Sequence, residues 1–178
     1  LEALGIAWNR GENADLTTRQ LRDALAESAL NGKSIVAREV GQRPADGATV
    51  ASVYQLPMLA HATMEPLNTT VFVTSDKCEI WVGTQVPARV LDAAARITGL
   101  SKDKIVVHNQ YLGGGFGRRL ETDSVEQALA LAKQVPYPLK VVWTREEDIR
   151  HDRVRPMYHD RISAVLDANG RPAWYGYR

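Results

Sequence analysis

The run Gly113-Gly114-Gly115-Phe116-Gly117-Arg118-Arg119 brings four glycines, an aromatic ring and two permanent cations into seven consecutive positions. Glycine admits positive φ and lets main-chain N–H groups approach a ligand with no Cβ in the way, so successive amides can converge on oxyanions. Arg118 and Arg119 could close on phosphate oxygens as bidentate forks, a geometry that lysine does not supply. The spacing matches none of three familiar phosphate loops. Arg118 stands where GxGxxG counted from Gly113 needs its last glycine, GxxxxGK[ST] is absent, and no kinase-type glycine loop is followed by a strand lysine. Two readings stand side by side: an anion or cofactor loop, and a structural turn where a strand meets a helix.

Other chemistry-bearing residues are weaker candidates. His61 and Glu65 lie four apart and on a helix would share a face as metal ligands, but Pro66 stops such a helix and no second histidine is near, which favours a packed turn. His151 and His159 flank the Arg-rich stretch 150–156 and read as a solvated, salt-bridged surface rather than a ligand contact. Glu146, Glu147 and Asp148 follow a Thr144 cap and read as complements to the N-terminus of a short helix rather than as an acid/base pair. No GxSxG elbow is present, and Cys78 falls in an expected turn with no base beside it, so nucleophilic catalysis has no support.

The elements that must carry these residues can be read from capping and periodicity. Thr17 with Gln20 forms a capping box opening a helix to Leu30, stopped by Asn31-Gly32, with Leu21, Ala24, Leu25 and Ser28 on one face. Val50 to Leu56 reads as a strand, and Thr69 to Thr74 reads as a second that turns at Asp76-Lys77 into Glu79 to Val82. Pro87 suits a first helical position, Val90, Leu91, Ala94 and Ile97 follow at helical spacing, and Gly99 ends the run. Lys104 to His108 reads as a strand feeding the glycine loop, 123–133 as a helix, Leu139 to Trp143 as a strand, and Pro172 to Tyr177 as another after the Ala168-Asn169-Gly170 turn. The order implies an α+β fold, a mixed β-sheet with packed helices in one or two modules. Gln42 to Gly47 is the best linker candidate, dividing an N-terminal segment with a helix, 1–41, from 42–178.

Composition limits the function classes. With 178 residues and 44% hydrophobic positions the chain can bury a core, and 22 basic against 21 acidic residues leave +1, no field to draw nucleic acid or a membrane surface. Basic residues are not interleaved with aromatics as base stacking would need. One cysteine rules out an internal disulfide and any Cys-based zinc or iron–sulfur site. No apolar run approaches the roughly 18–20 residues that cross a bilayer, and Leu1 to Trp8 lacks the pattern of a signal peptide. A chain starting without Met and ending within a strand at Arg178 reads as a fragment of a longer polypeptide.

Several pieces in order make the chain resemble the molybdopterin-binding large subunit of the xanthine dehydrogenase and aldehyde oxidase superfamily, closest to the isoquinoline 1-oxidoreductase beta-subunit branch. They are Ala3-Leu4-Gly5-Ile6-Ala7-Trp8-Asn9-Arg10-Gly11, Tyr54-Gln55-Leu56-Pro57, His61-Ala62-Thr63-Met64-Glu65-Pro66-Leu67-Asn68, Gly83-Thr84-Gln85-Val86-Pro87, the glycine loop, and Trp143-Thr144-Arg145-Glu146-Glu147-Asp148. The resemblance implies that 42–178 is part of the molybdopterin-binding domain. It also implies that Gln85 hydrogen-bonds the apical oxo ligand of molybdenum, while Gly114, Gly115, Phe116 and Gly117 pack against the dithiolene end of the cofactor. With Arg118 they form the expected cofactor-binding set; no catalytic or metal-ligating residue is expected among these positions.

The implied activity is that of a molybdenum-dependent oxidoreductase that oxidises aldehydes or hydroxylates N-heterocyclic aromatics. The implied cofactor is molybdopterin in its cytosine dinucleotide form, and the implied partners are a small [2Fe-2S] subunit and a cytochrome c electron acceptor. A periplasmic or membrane-associated location is implied for the full-length protein. Where xanthine dehydrogenases continue the loop with Gly-Lys-Glu, this chain has Arg118-Arg119-Leu120, which counts against xanthine. The family's catalytic glutamate falls outside these residues, so the 178-residue piece alone is expected to bind no cofactor tightly and to be inactive. The alternative is a non-catalytic nucleotide or phosphate-binding module built on the same loop.

Overall fold

A computed structural model describes residues 5, 7 and 9–178. In chain order these form α1 (Thr18–Asn31), β1 (Ala48–Leu56), β2 (Asn68–Val73), β3 (Cys78–Val82), α2 (Pro87–Thr98), β4 (Ile105–Asn109), α3 (Asp123–Ala132), β5 (Leu139–Val142), α4 (Arg145–Arg150), β6 (Tyr158–Leu166) and β7 (Pro172–Tyr177). Single 3₁₀ turns precede β4 and α3, at Lys102–Lys104 and Arg118–Leu120. The Ala3 to Gly11 segment of the resemblance includes residues 3, 4, 6 and 8, which lie outside the described residues.

Among the described residues, 59–155 form one unit, and those up to 58 together with 156–178 form the other. The sequence reading draws its 41/42 boundary at the Gln42 to Gly47 stretch. β1 begins directly after that stretch and pairs antiparallel with β6, which keeps it in one unit with α1.

In the 59–155 unit, β2 and β3 make the expected hairpin, and β5 pairs antiparallel with β2 on the far side. β4 runs parallel to β3, with α2 supplying the crossover that a parallel pair needs. The resulting four-stranded sheet, in order β4-β3-β2-β5, is mixed as expected. Alternation sets its buried face: Cys78, Ile80 and Val82 of β3 and Val71 of β2 point into the core. Val90 and Ala94 of α2 and Val125, Ala128, Leu129 and Ala132 of α3 complete it. Each fully buried Val, Leu or Ile contributes about 1.5–3 kcal/mol relative to exposure. Helix α2 starts on Pro87 and stops on Gly99, whose φ of 76° only glycine adopts without strain.

Cys78 does not sit in the turn where the sequence reading put it. The turn closes one residue earlier, where Thr74 Oγ1 accepts from the Lys77 amide at 3.1 Å, so Cys78 opens β3 fully buried. Burial pushes its thiol up to about 11, leaving it an inert core group.

The smaller unit holds a three-stranded antiparallel sheet, β1-β6-β7, with α1 against β6. The capping box is present, Thr17 N donating to Gln20 Oε1 at 2.8 Å and Gln20 N to Thr17 Oγ1 at 3.3 Å. The least exposed positions of α1 are Leu21, Ala26 and Ala29, a face rotated from the expected one. His159 lies near the start of β6, paired opposite Gln55. Four polar or aromatic residues, Tyr158 to Arg161, open that strand and mask its alternation.

Candidate functional site

The site grows from the end of β3. After Val82 the chain passes Gly83 and reaches Thr84, buried because its hydroxyl donates to the Arg119 carbonyl at 3.2 Å and accepts from the Val86 amide at 3.1 Å. Its own amide donates to Asn109 Oδ1 at 3.1 Å, tying this corner to the end of β4. Gln85, exposed, donates its backbone N–H to the same Arg119 carbonyl at 3.1 Å.

The glycine loop folds directly over Gln85. Gly114 and Gly117 have φ of 102° and 99°, and Phe116 is held at 50°, a left-handed conformation unusual for a bulky residue. The Gly117 amide donates to Gln85 Oε1 at 3.2 Å. A Cβ on Gly115 would stand 2.6 Å from that same oxygen, so a larger residue there would displace the Gln85 amide. The strained Phe116 is held from outside, its carbonyl accepting from Arg155 Nη2 at 3.0 Å, while the residue remains 61% exposed. Among the described residues, no protein acceptor engages the amides of Gly114, Gly115 or Phe116, and Gln85 Nε2 has no partner.

The two arginines do not face a ligand, which corrects the expectation that they form phosphate-gripping forks. Arg118 is 1% exposed, with Nη1 and Nη2 on the two carboxylate oxygens of Asp123 at 2.8 and 2.9 Å. Its Nε lies 2.6 Å from Asp152, and its guanidinium sits over the Trp143 ring. Burial lowers its pKa, but the bonds and charges of Asp123, Asp152 and Asp148 outweigh that and raise it. Arg119 is 2% exposed and turns back into the turn that carries it, donating to the carbonyls of Gly114 (2.9 Å), Gly83 (3.1 Å) and Glu65 (3.0 Å). The physical reason is shared: a buried cation needs matched acceptors, and the carbonyls and carboxylates of this turn supply them.

Glu65 is committed in the same way. One carboxylate oxygen accepts from the Gly113 amide at 2.8 Å and Arg119 Nη2 at 3.0 Å, and the other accepts from Asn68 Nδ2 at 2.7 Å. Burial pushes its carboxyl up, yet Asn68, the Gly113 amide, Arg119 and Lys140 together hold it below the usual carboxylate range. With both oxygens engaged, Glu65 is not disposed to share a metal with His61. His61 instead packs beneath the loop, its Nδ1 3.0 Å from Asp152. Asp152 is thus buried, unlike the solvated surface expected of its segment, whereas His151 does pair at the surface with Glu147 at 2.7 Å. Of the acidic trio, Glu147 takes the Thr144 cap bond at 3.3 Å and Asp148 is buried against Arg145 at 2.7 Å.

The buried charges around the loop are therefore paired internally, and the exposed lip carries the Gln85 amide, glycine backbone, an aromatic ring and the Arg155 guanidinium on the Phe116 carbonyl. Such a lip offers hydrogen-bond donors to a bulky anionic or oxo-bearing guest without competing carboxylates. Sequence reasoning named Gln85 and the loop but missed Glu65, Asn68, Arg119's inward role and Asp152 as the residues that hold it. The Glu65 position within its quoted segment was the only local signal.

The model of the molybdopterin cofactor-binding domain family matches residues 33–174. The chain is 35% identical over 119 residues to the isoquinoline 1-oxidoreductase subunit beta of Brevundimonas diminuta, covering 66% of this chain and 15% of that protein. It is 28% identical over 176 residues to the membrane-bound aldehyde dehydrogenase [pyrroloquinoline-quinone] of Gluconacetobacter polyoxogenes, covering 96% of this chain and 23% of that protein. The fold is similar to that of quinoline 2-oxidoreductase from Pseudomonas putida 86, with a TM-score of 0.66 at 19% identity over 85% of this chain and 22% of that one. The chain thus spans between 15% and 23% of the length of these relatives.

Proposed function

The chain belongs to the molybdopterin cofactor-binding domain family, and on that premise we propose that it supplies one wall of the molybdopterin site in an oxidoreductase acting on aldehydes or N-heterocyclic aromatics. The observation that carries this reading is the convergence of Gln85 with the glycine loop, where the Gly117 amide meets Gln85 Oε1 and a Cβ at Gly115 would collide with it. Engaging Oε1 fixes the orientation of the amide and leaves Nε2 as its donor end, suited to an oxygen of the metal centre. The unengaged amides of Gly114, Gly115 and Phe116 suit the anionic end of the group, and Phe116 offers it an apolar edge. When bound, the cofactor supplies the redox-active metal and its sulfur ligands, so the chain's own residues bind and orient and do not ligate.

The finer reading follows the isoquinoline 1-oxidoreductase beta-subunit branch that the chain resembles. There the cofactor is the cytosine dinucleotide form, electrons leave to a small [2Fe-2S] subunit and on to a cytochrome c, and the protein works in the periplasm or at the membrane. One relative is named as a subunit and another as membrane-bound, which supports a multi-subunit assembly and a membrane location within this reading. Leu120, in the place of the loop glutamate of xanthine dehydrogenases, supports substrates other than xanthine. A self-contained nucleotide module finds no support, since Arg118 and Arg119 are buried and paired.

Metal analysis, nucleotide release and dye-linked oxidation tested on the full-length protein and on the 178-residue piece decide the matter. We expect stoichiometric molybdenum, released CMP and aldehyde or N-heterocycle oxidation from the former and none from the latter. A full-length protein without molybdenum would overturn the reading.

A further inference from the structure

We propose that Glu65 and Arg119 form a clasp that positions the Gln85 amide, making both of them positioning residues for the cofactor wall. The inference rests on the molybdopterin reading for its consequence in turnover, but not for its geometry. Glu65 grips the first glycine of the loop twice: its amide donates to the Gly113 carbonyl at 3.0 Å, and its carboxylate accepts from the Gly113 amide at 2.8 Å. A Cβ on Gly113 would stand 2.3 Å from the Glu65 Cβ, so the two backbones approach as closely as glycine permits. The same carboxylate oxygen holds Arg119 Nη2 at 3.0 Å.

Arg119 carries the connection onward. Its side chain reaches Gly83 at the end of β3 and Gly114 in the loop, and its carbonyl accepts from Thr84 Oγ1 and the Gln85 amide. Gln85 Oε1 closes the ring by accepting from Gly117. Glu65, Arg119, Gln85 and the loop therefore form one closed circuit of hydrogen bonds, in which the only ion pair is that between Glu65 and Arg119. Planarity matters here: the guanidinium serves four acceptors in a fixed fork, and a lysine ammonium on a flexible stem has three donors and no such plane. Asn68, on the other carboxylate oxygen, anchors the circuit to β2.

The test uses the full-length protein, with and without its cofactor. In the cofactor-free protein, Glu65→Gln keeps the shape and removes the charge; amide exchange at Gly113 and Gly117 should accelerate by about tenfold or more, while β2 and β3 amides keep their protection. Glu65→Asp, which keeps the charge, should restore part of that protection. In the loaded protein, Glu65→Gln should lower kcat more than it changes KM, and should add no further loss to Gln85→Ala, because both act through one amide. Unchanged exchange at Gly117 in Glu65→Gln, or a kcat loss that adds fully to that of Gln85→Ala, overturns the clasp. Failure of the molybdopterin reading would show separately, as absent molybdenum with the exchange result intact.

Discussion

Gly117 donates its backbone N–H to Gln85 Oε1 at 3.2 Å across 32 residues of sequence, so the glycine loop and the residue two before α2 form a single surface. That bond is made by the oxygen end of the amide, which is why the nitrogen end is the one available to a guest.

Gln85→Ala removes the side-chain amide donor from this lip. Because Gln85 is exposed, folding should change by no more than about 0.5 kcal/mol, whereas turnover of the full-length enzyme should fall by on the order of a hundredfold, the scale for losing one preorganised donor. Thermal melts beside steady-state kinetics check both halves, and wild-type activity in the variant would remove Gln85 from the site.

Arg118→Ala acts in the opposite sense. It strands the Asp123 and Asp152 carboxylates beneath the loop, and a buried pair broken on one side costs about 3–5 kcal/mol. The melting temperature should drop steeply. If Arg118 instead faced a phosphate, as its sequence context first implies, the melt would hold and only cofactor retention would fall.

Acid should weaken the same region. Burial pushes the Asp123 carboxyl up, but Arg118 with the Ser124 amide and Arg153 outweigh it and hold it low, and Glu65 is held low against Arg119 and Lys140. Each folded-state pKa lies below its unfolded value, so each contributes stability in full above roughly pH 4–5, lost as pH falls through the lowered folded value. Melts from neutral pH down to about pH 3 should show this loss, and Asp123→Asn should flatten the curve. A parallel shift of both proteins would contradict it.

Local chemistry explains what could be read from the chain alone. The Thr17–Gln20 box, the Pro87 start and Gly99 stop of α2, and the β2–β3 turn each depend on groups a few residues apart. The glycine run was legible as a loop for close backbone approach, Gln85 came only with the resemblance, and the fold brings the two together. The direction of the arginines was not: composition says that Arg118 and Arg119 are charged, while their burial depends on Asp123, Asp152 and Glu65. Long-range pairing settled the rest. β6 needed β1 beside it to be recognised as a strand, Glu65 meets Gly113 across 48 residues, and His61 meets Asp152 across 91. A hydrogen bond within one turn is specified by its own neighbours, but a buried charge takes whichever partners the folded chain brings within reach.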